Sequence, residues 1–184
     1  AGPVILRHGS EEQKDEYLPR IAGGEIEFAL GYSEPQAGSD LASLEIKAED
    51  MGEYFLLNGQ KMFNTRTHYA QYHWLGARTE PVGPKHKGIS LFIVDLKTPG
   101  ISITPDWTLG HMRTNQVFYD DVKVPKKALV GDKNKGFYYI LEALDYERVS
   151  TTAGLERDFK EIIDYVKESG KNKNPLVRQK IAEL

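Results

Sequence analysis

The sequence predicts an α+β fold, an antiparallel β-barrel or sandwich flanked by helices. Three observations carry that prediction. Residues 26–125 hold many short runs rich in β-branched and aromatic residues, broken by Gly, Pro and Asn turn signals, with no helical stretch between them. A short capped helical pattern precedes them. After Gly136 the apolar residues recur at three- and four-residue spacing.

The first helix is announced by Ser10 and Gln13, a capping box, and is stopped by Gly23 and Gly24. Pro19 breaks or tightens its last turn, because proline removes a helical donor. The runs EYFLLNGQKMFNT, YHWLGAR, ISLFIVDL, ISITPDW and NQVFYDDVKVP read as strands. Within the first of them, LLNGQKMF reads as a tight hairpin, since Asn58 and Gly59 accept the positive φ values such a turn requires. Phe137, Ile140, Leu141, Leu144, Leu155, Phe159, Ile162, Ile163 and Val166 form the apolar stripe of one long helix ending near Ser169 and Gly170. NKNP is a linker, and LVRQKIAEL begins a further helix. A stripe this wide needs burying partners. The chain opens without Met and closes inside a helical pattern, so both ends read as edges of something larger.

Composition narrows the function classes. The 184 residues suffice for one core, or for one domain with a piece of another. Net charge is −3 and the basic residues do not gather, which argues against a nucleic-acid partner. KNKGF and VPKKAL read as solvated loops. The absence of cysteine excludes disulfides, thiolate metal sites and cysteine nucleophiles. His68 and His73, five apart, fall on opposite faces of a strand and read as surface or core-edge residues, so no metal site is expected. No apolar run approaches the ~20 residues that span a bilayer, and no charged leader precedes an apolar core at the N-terminus. The expectation is a soluble, cytoplasmic chain.

The stretch YSEPQAGSD, Tyr32 to Asp40, is too long and too mixed for a simple turn. Around Ala37, Gly38 and Ser39 the small side chains let a ligand approach backbone amides, and Ser33 and Ser39 add hydroxyls that donate and accept. Such a loop suits a phosphate or the edge of a heteroaromatic ring.

These residues also carry a resemblance. YSEPQAGSDLASL resembles the Ser/Thr-Glu-Pro-x-Ala-Gly-Ser-Asp signature of the acyl-CoA dehydrogenase family. LNGQKMFNT is similar to its Asn-Gly-x-Lys-x-Trp-Ile-Thr segment, with Phe63, Asn64 and Arg66 as departures. GISLFIVDLKTPGISI, VFYDDVKVP and LDYERVSTTAG resemble three further family segments in the same order. The family's Arg-x-x-Phe-Gly stretch after the long helix is absent.

The resemblance implies a Greek-key-like antiparallel barrel as the middle of a three-part enzyme. Residues 1–25 would end an N-terminal helical domain, residues 26–132 form the barrel, and residues 133–184 start a C-terminal helical domain. It implies FAD as cofactor, with Leu30, Tyr32 and Ser33 facing the flavin ring, and Gly38 and Ser39 near its pyrophosphate. Ser39 would also lie near the pantetheine of an acyl-CoA substrate. Phe63 and Thr65 would wall one face of the ring, while Phe63 read alone fits equally a cross-strand aromatic in the core. Thr79, Asp145 and Arg148 match positions that contact the CoA part, although Asp145 and Arg148 also fit a helix-surface pair.

Glu147 matches the catalytic base of some branches, provided acyl chain and flavin bury it; in others the base lies beyond Leu184. The activity implied is α,β-dehydrogenation of an acyl-CoA thioester in fatty acid metabolism, by an oligomer that passes electrons to an electron-transfer flavoprotein. Related flavin oxidases or monooxygenases, and a non-catalytic β-barrel binding module, are the alternatives.

Overall fold

The computed structural model describes the backbone of residues 1–184 and the side chains of all but residues 150, 151 and 153. Two compact units divide the chain, residues 1–143 and residues 144–184. In the first, helices α1 (Gly2–His8) and α2 (Glu11–Ala22) precede seven strands. These are β1 (Phe28–Gly31), β2 (Lys47–Asp50), β3 (Tyr54–Lys61), β4 (Tyr72–Arg78), β5 (Ile89–Asp95), β6 (Ile101–Trp107) and β7 (Arg113–Pro125). Helix α3 spans Gly136–Glu168 and α4 spans Pro175–Ala182. Among the described residues, no helix is long and apolar enough to cross a membrane.

The strands form one sheet in the order β1-β4-β2-β3-β7-β6, with β5 added to β4, and it curls into a half-barrel. The α+β class holds. The sheet is mixed rather than wholly antiparallel, because β1 and β2 both pair parallel to β4. Trp74, Phe55, Phe92, Leu57, Leu75, Ile89 and Leu91 fill the core without exposure. Six of the seven residues of β5 are buried, as expected of a strand covered on both faces. Strand β6 ends the sheet, and Pro105 sits in its middle opposite Asn115.

Helix α2 forms as its cap residues require: Ser10 accepts from the Gln13 amide, and the Gln13 side chain returns the bond. The same Gln13 donates to the Lys127 and Leu129 carbonyls, which docks the helix onto the barrel exit. Pro19 does not end this helix, which continues to Ala22. Helix α1 carries no apolar period long enough to be read from sequence, and packs against α2 and the start of α3. There Tyr139 stacks on His8 at 4.4 Å, and Glu142 accepts from Arg7 and meets His8.

The hairpin expected at Asn58 and Gly59 is not one. Strand β3 runs straight through and pairs along its length with β7, and the register slips between Leu57 and Gly59. The extra residue lies in β7, where Asp120 and Asp121 together face Asn58 in a β-bulge. Asp121 takes φ 50°, Asn58 bonds both its amide and its carboxylate, and Gly59, paired with Tyr119, takes φ 141°. The long partner β7, remote in sequence, overrides the local turn preference. A Cβ on Gly59 would stand 3.0 Å from the Ile46 Cα in a backbone region that disfavours side chains. Gly59→Ala is therefore expected to lose about 2 kcal/mol of stability, read as a lower urea midpoint at unchanged slope.

In the second unit the remainder of α3 ends at Glu168, and Gly170 beyond it takes the left-handed region at φ 69°. Asn174 caps α4 by accepting from the Leu176 amide. Val149, Leu155, Phe159, Ile162 and Tyr165 are exposed.

Candidate functional site

Two segments that leave the sheet at neighbouring levels build the site. One is the 32–46 loop after β1, and the other is residues 62–71 after β3. The amide of Met62 donates to the Ser33 carbonyl at 2.9 Å, so the two segments lie against each other as neighbouring shelves.

Asn64 is the knot of the second shelf. Its side-chain amide donates to the Leu30 carbonyl at 2.8 Å and to the Met62 carbonyl at 3.2 Å. Its backbone amide donates to the Asn115 carbonyl at 2.9 Å. Its carbonyl accepts from Asn115 Nδ2 and Thr67 Oγ1. With Met62 and Asn64 both tied inward, the chain between them everts. Phe63 sits in the left-handed region at φ 58° with 60 % of its surface exposed. An aromatic held out by a strained backbone is no core residue, which removes the cross-strand alternative.

The first shelf folds around Glu34. Glu34 and Ala37 exchange two backbone bonds in a tight turn. The Glu34 carboxylate is buried and accepts from Lys61 Nζ at 2.8 Å, the Glu45 amide at 2.6 Å, the Ile46 amide at 3.1 Å and Gln36 Nε2 at 2.8 Å. Burial alone would raise its pKa, but the Lys61 charge and these donors outweigh it and hold the carboxyl below its ordinary range. Lys61 has no exposed surface and also donates to the Tyr32 carbonyl at 2.9 Å. Its burial brings the ammonium down to about 8 against the pull of Glu34. At the far end of the loop, Arg78 on β4 donates to the Leu44 and Ala42 carbonyls at 2.9 and 2.7 Å.

Gly38 and Ser39 stand exposed beyond the turn. A Cβ built on Gly38 meets nothing within 4 Å, and among the described residues no hydrogen bond engages the amides of Gly38 and Ser39. Asp40 is held below its usual range by the Ser43 hydroxyl and then by Lys85. Leu30 and Thr65 are exposed, Ser33 is partly exposed, and Tyr32 is buried beside Gly76.

The other expected residues lie in different surroundings. Thr79 Oγ1 stands 2.6 Å from both Ser90 Oγ and Asn134 Oδ1, so its hydroxyl braces a strand end instead of facing outward. In the second unit Asp145 and Arg148 form an exposed ion pair of 3.0 Å, and Glu147 is exposed beside them. His68 is exposed as expected. His73 is not at an edge: it is wholly buried, and its Nδ1 makes a short hydrogen bond to the Tyr119 hydroxyl. Burial and then the charge of Lys61 push its pKa down to about 3, so it is neutral.

Glu34, Lys61, Arg78 and Asn115 were not singled out from sequence. For Lys61 a signal existed, because strand alternation puts it on the face of Phe55 and Leu57, where a lysine demands a carboxylate.

The sequence profile of the acyl-CoA dehydrogenase middle domain matches residues 29–122. Acyl-CoA dehydrogenase FadE29 of Mycobacterium tuberculosis is 50% identical over 149 residues, covering 80% of this chain and 38% of that protein. The caffeyl-CoA reductase-Etf complex subunit CarC of Acetobacterium woodii is 38% identical over 175 residues, covering 91% of this chain and 46% of that protein. The solved structure of the Tcur3481-Tcur3483 steroid ACAD superposes with a TM-score of 0.81 at 39% identity, covering 99% of this chain and 48% of its own. The chain thus spans less than half the length of each of these relatives. With the profile covering the half-barrel and the two shelves, the chain belongs to the acyl-CoA dehydrogenase family.

Proposed function

We propose that the two shelves hold FAD and that the chain is the barrel-bearing part of an acyl-CoA dehydrogenase acting on an acyl-CoA thioester. The observation that carries the reading is Phe63, held outward at positive φ beside the small-residue loop. A flat apolar ring displayed next to amides left open at Gly38 and Ser39 fits a ligand that is tricyclic at one end and phosphorylated at the other. When bound, the flavin supplies a two-electron acceptor that no side chain provides.

In this reading Phe63 and Thr65 wall one face of the ring, and Leu30, Tyr32 and Ser33 line its other approach, Tyr32 through the backbone that Lys61 fixes. The Ser33 hydroxyl donates toward the ring edge. Gly38 and Ser39 bind the pyrophosphate, and Ser39 also meets the pantetheine. Asp145 and Arg148 hold the CoA part, Arg148 by its fixed fork of donors. Glu147 takes the α-proton of the thioester. Residues 1–25 belong to a preceding helical domain, 26–132 to the barrel and 133–184 to a following helical domain. The whole enzyme is an oligomer that hands electrons to an electron-transfer flavoprotein, a reading supported by the relative CarC, itself a subunit of an Etf complex.

The test is to load the whole enzyme that carries this chain with FAD, follow the flavin absorption bands and add acyl-CoA. Retained colour that bleaches with acyl-CoA is expected. Phe63→Ala should weaken FAD binding about tenfold, from the lost stacking. Glu147→Gln should keep the colour and slow bleaching by about 10²-fold or more. Failure of the wild-type protein to retain flavin at all would point to the binding-module alternative, and unimpaired bleaching by Glu147→Gln would move the base elsewhere.

A further inference from the structure

Lys61 and Glu34 form a wholly buried ion pair that no part of the proposed chemistry uses. Such a pair is a poor way to stabilise a barrel. Desolvating two charges offsets most of their attraction, and two apolar residues of similar volume would serve the core as well or better. What a charge pair does supply is geometric specificity, because it is tolerated only when its hydrogen bonds are met.

Those bonds all run to one segment. Lys61 reaches the Tyr32 carbonyl at the start of the 32–46 loop. The Glu34 carboxylate reaches the amides of Glu45 and Ile46 at its end, with Ile46 twelve positions away. The pair therefore draws both ends of the loop together over one strand residue. The residue that follows the strand, Met62, donates to the Ser33 carbonyl and leads directly into Phe63. One buried cation thus fixes the small-residue shelf and sets its register against the aromatic shelf.

We propose that Lys61, acting through Glu34, is a positioning residue that holds the two ligand-bearing segments in their binding geometry before any ligand arrives. The inference rests on the flavin reading for the identity of the ligand, but its central claim concerns loop order and is measurable without flavin. Neither residue touches the ligand. Tyr32, Ser33 and Phe63 keep their own side chains when the pair is altered, so any effect on binding is transmitted through backbone placement.

The experiment compares wild type with Lys61→Met and with the double variant K61M/E34Q, which strands no charge in the interior and so guards against a failure to fold. Backbone amide exchange is followed at Glu45, Ile46 and Met62, with Phe92 and Leu91 on β5 as the internal reference. In parallel, FAD affinity is titrated by fluorescence. The expected result is exchange at the three loop amides accelerated about tenfold or more in both variants, with the β5 amides unchanged and FAD bound about tenfold more weakly.

Unchanged loop exchange in both variants overturns the proposal. So does a uniform acceleration of loop and β5 amides, since the pair would then serve only global stability. If wild type binds FAD and both variants bind it equally well, the positioning role fails while the flavin site stands. If wild type binds no FAD yet the variants loosen the loop alone, the flavin reading fails and the ordering role of Lys61 stands.

Discussion

Acidification from pH 6.5 to pH 3 is expected to cost the barrel about 4 kcal/mol through one side chain, His73. Folded, this imidazole takes a proton only near pH 3, because it is buried and lies within reach of the Lys61 charge. Unfolded, it takes one near 6.5. Between those values the unfolded chain carries the extra proton, so each pH unit downward favours unfolding by about 1.4 kcal/mol. The stability is fully present above pH 6.5 and is lost as pH falls toward 3. Glu34, whose carboxyl is held below its ordinary range, adds a loss of the same sign at lower pH. Urea unfolding at steps between pH 7 and pH 4 measures the slope. His73→Gln keeps a hydrogen-bonding group for Tyr119 but cannot titrate, and should flatten that slope. An equally steep slope in the variant would assign the acid sensitivity to other groups.

The second large effect is a glycine-to-alanine change at Gly136, expected to cost about 3 kcal/mol and to lower the melting temperature by about 10 °C. The first residue of α3 lies directly on the backbone of β5. A Cβ there would stand 2.4 Å from the Ser90 carbonyl carbon, 2.6 Å from the Leu91 nitrogen and 2.7 Å from the Ser90 Cα. Backbone atoms of a strand buried along almost its whole length cannot turn aside, so the helix start must lift. The same change at Gly154, further along the same helix, meets nothing within 4 Å. There alanine should be neutral or should stabilise by up to about 1 kcal/mol through helix propensity. Paired thermal melts of the two variants read both signs. Equal effects would mean that helix propensity, not the contact with β5, governs both positions.

Strands β4, β5 and β7 were legible because their apolar runs are long enough to outweigh everything local. Strand β2 was not, since KAED exposes three of its four residues and owes its place to pairing with β3. Asn58 and Gly59 misled for the converse reason, a strong local preference overruled by a partner some sixty positions away. The site divides in the same way. Its exposed members, Phe63, Gly38 and Ser39, stand in recognisable motifs. Its supports, Glu34, Lys61, Asn64 and Arg78, are polar residues whose burial depends on tertiary neighbours, and a lysine or an asparagine in a sequence reads first as solvent-facing. His73 was placed at an edge on the same presumption.

Pro105 carries a consequence for the protein in crowded solution. A sheet that fails to close into a full barrel leaves open margins, and open margins invite a second chain to add itself as another strand. Here each margin is blunted differently. Strand β1 is four residues long, β5 is overlaid by Val130, whose amide donates to the Leu91 carbonyl, and β6 is interrupted by a ring that carries no hydrogen to donate. The half-barrel stays open at its margins, yet offers no continuous ribbon on which aggregation could template.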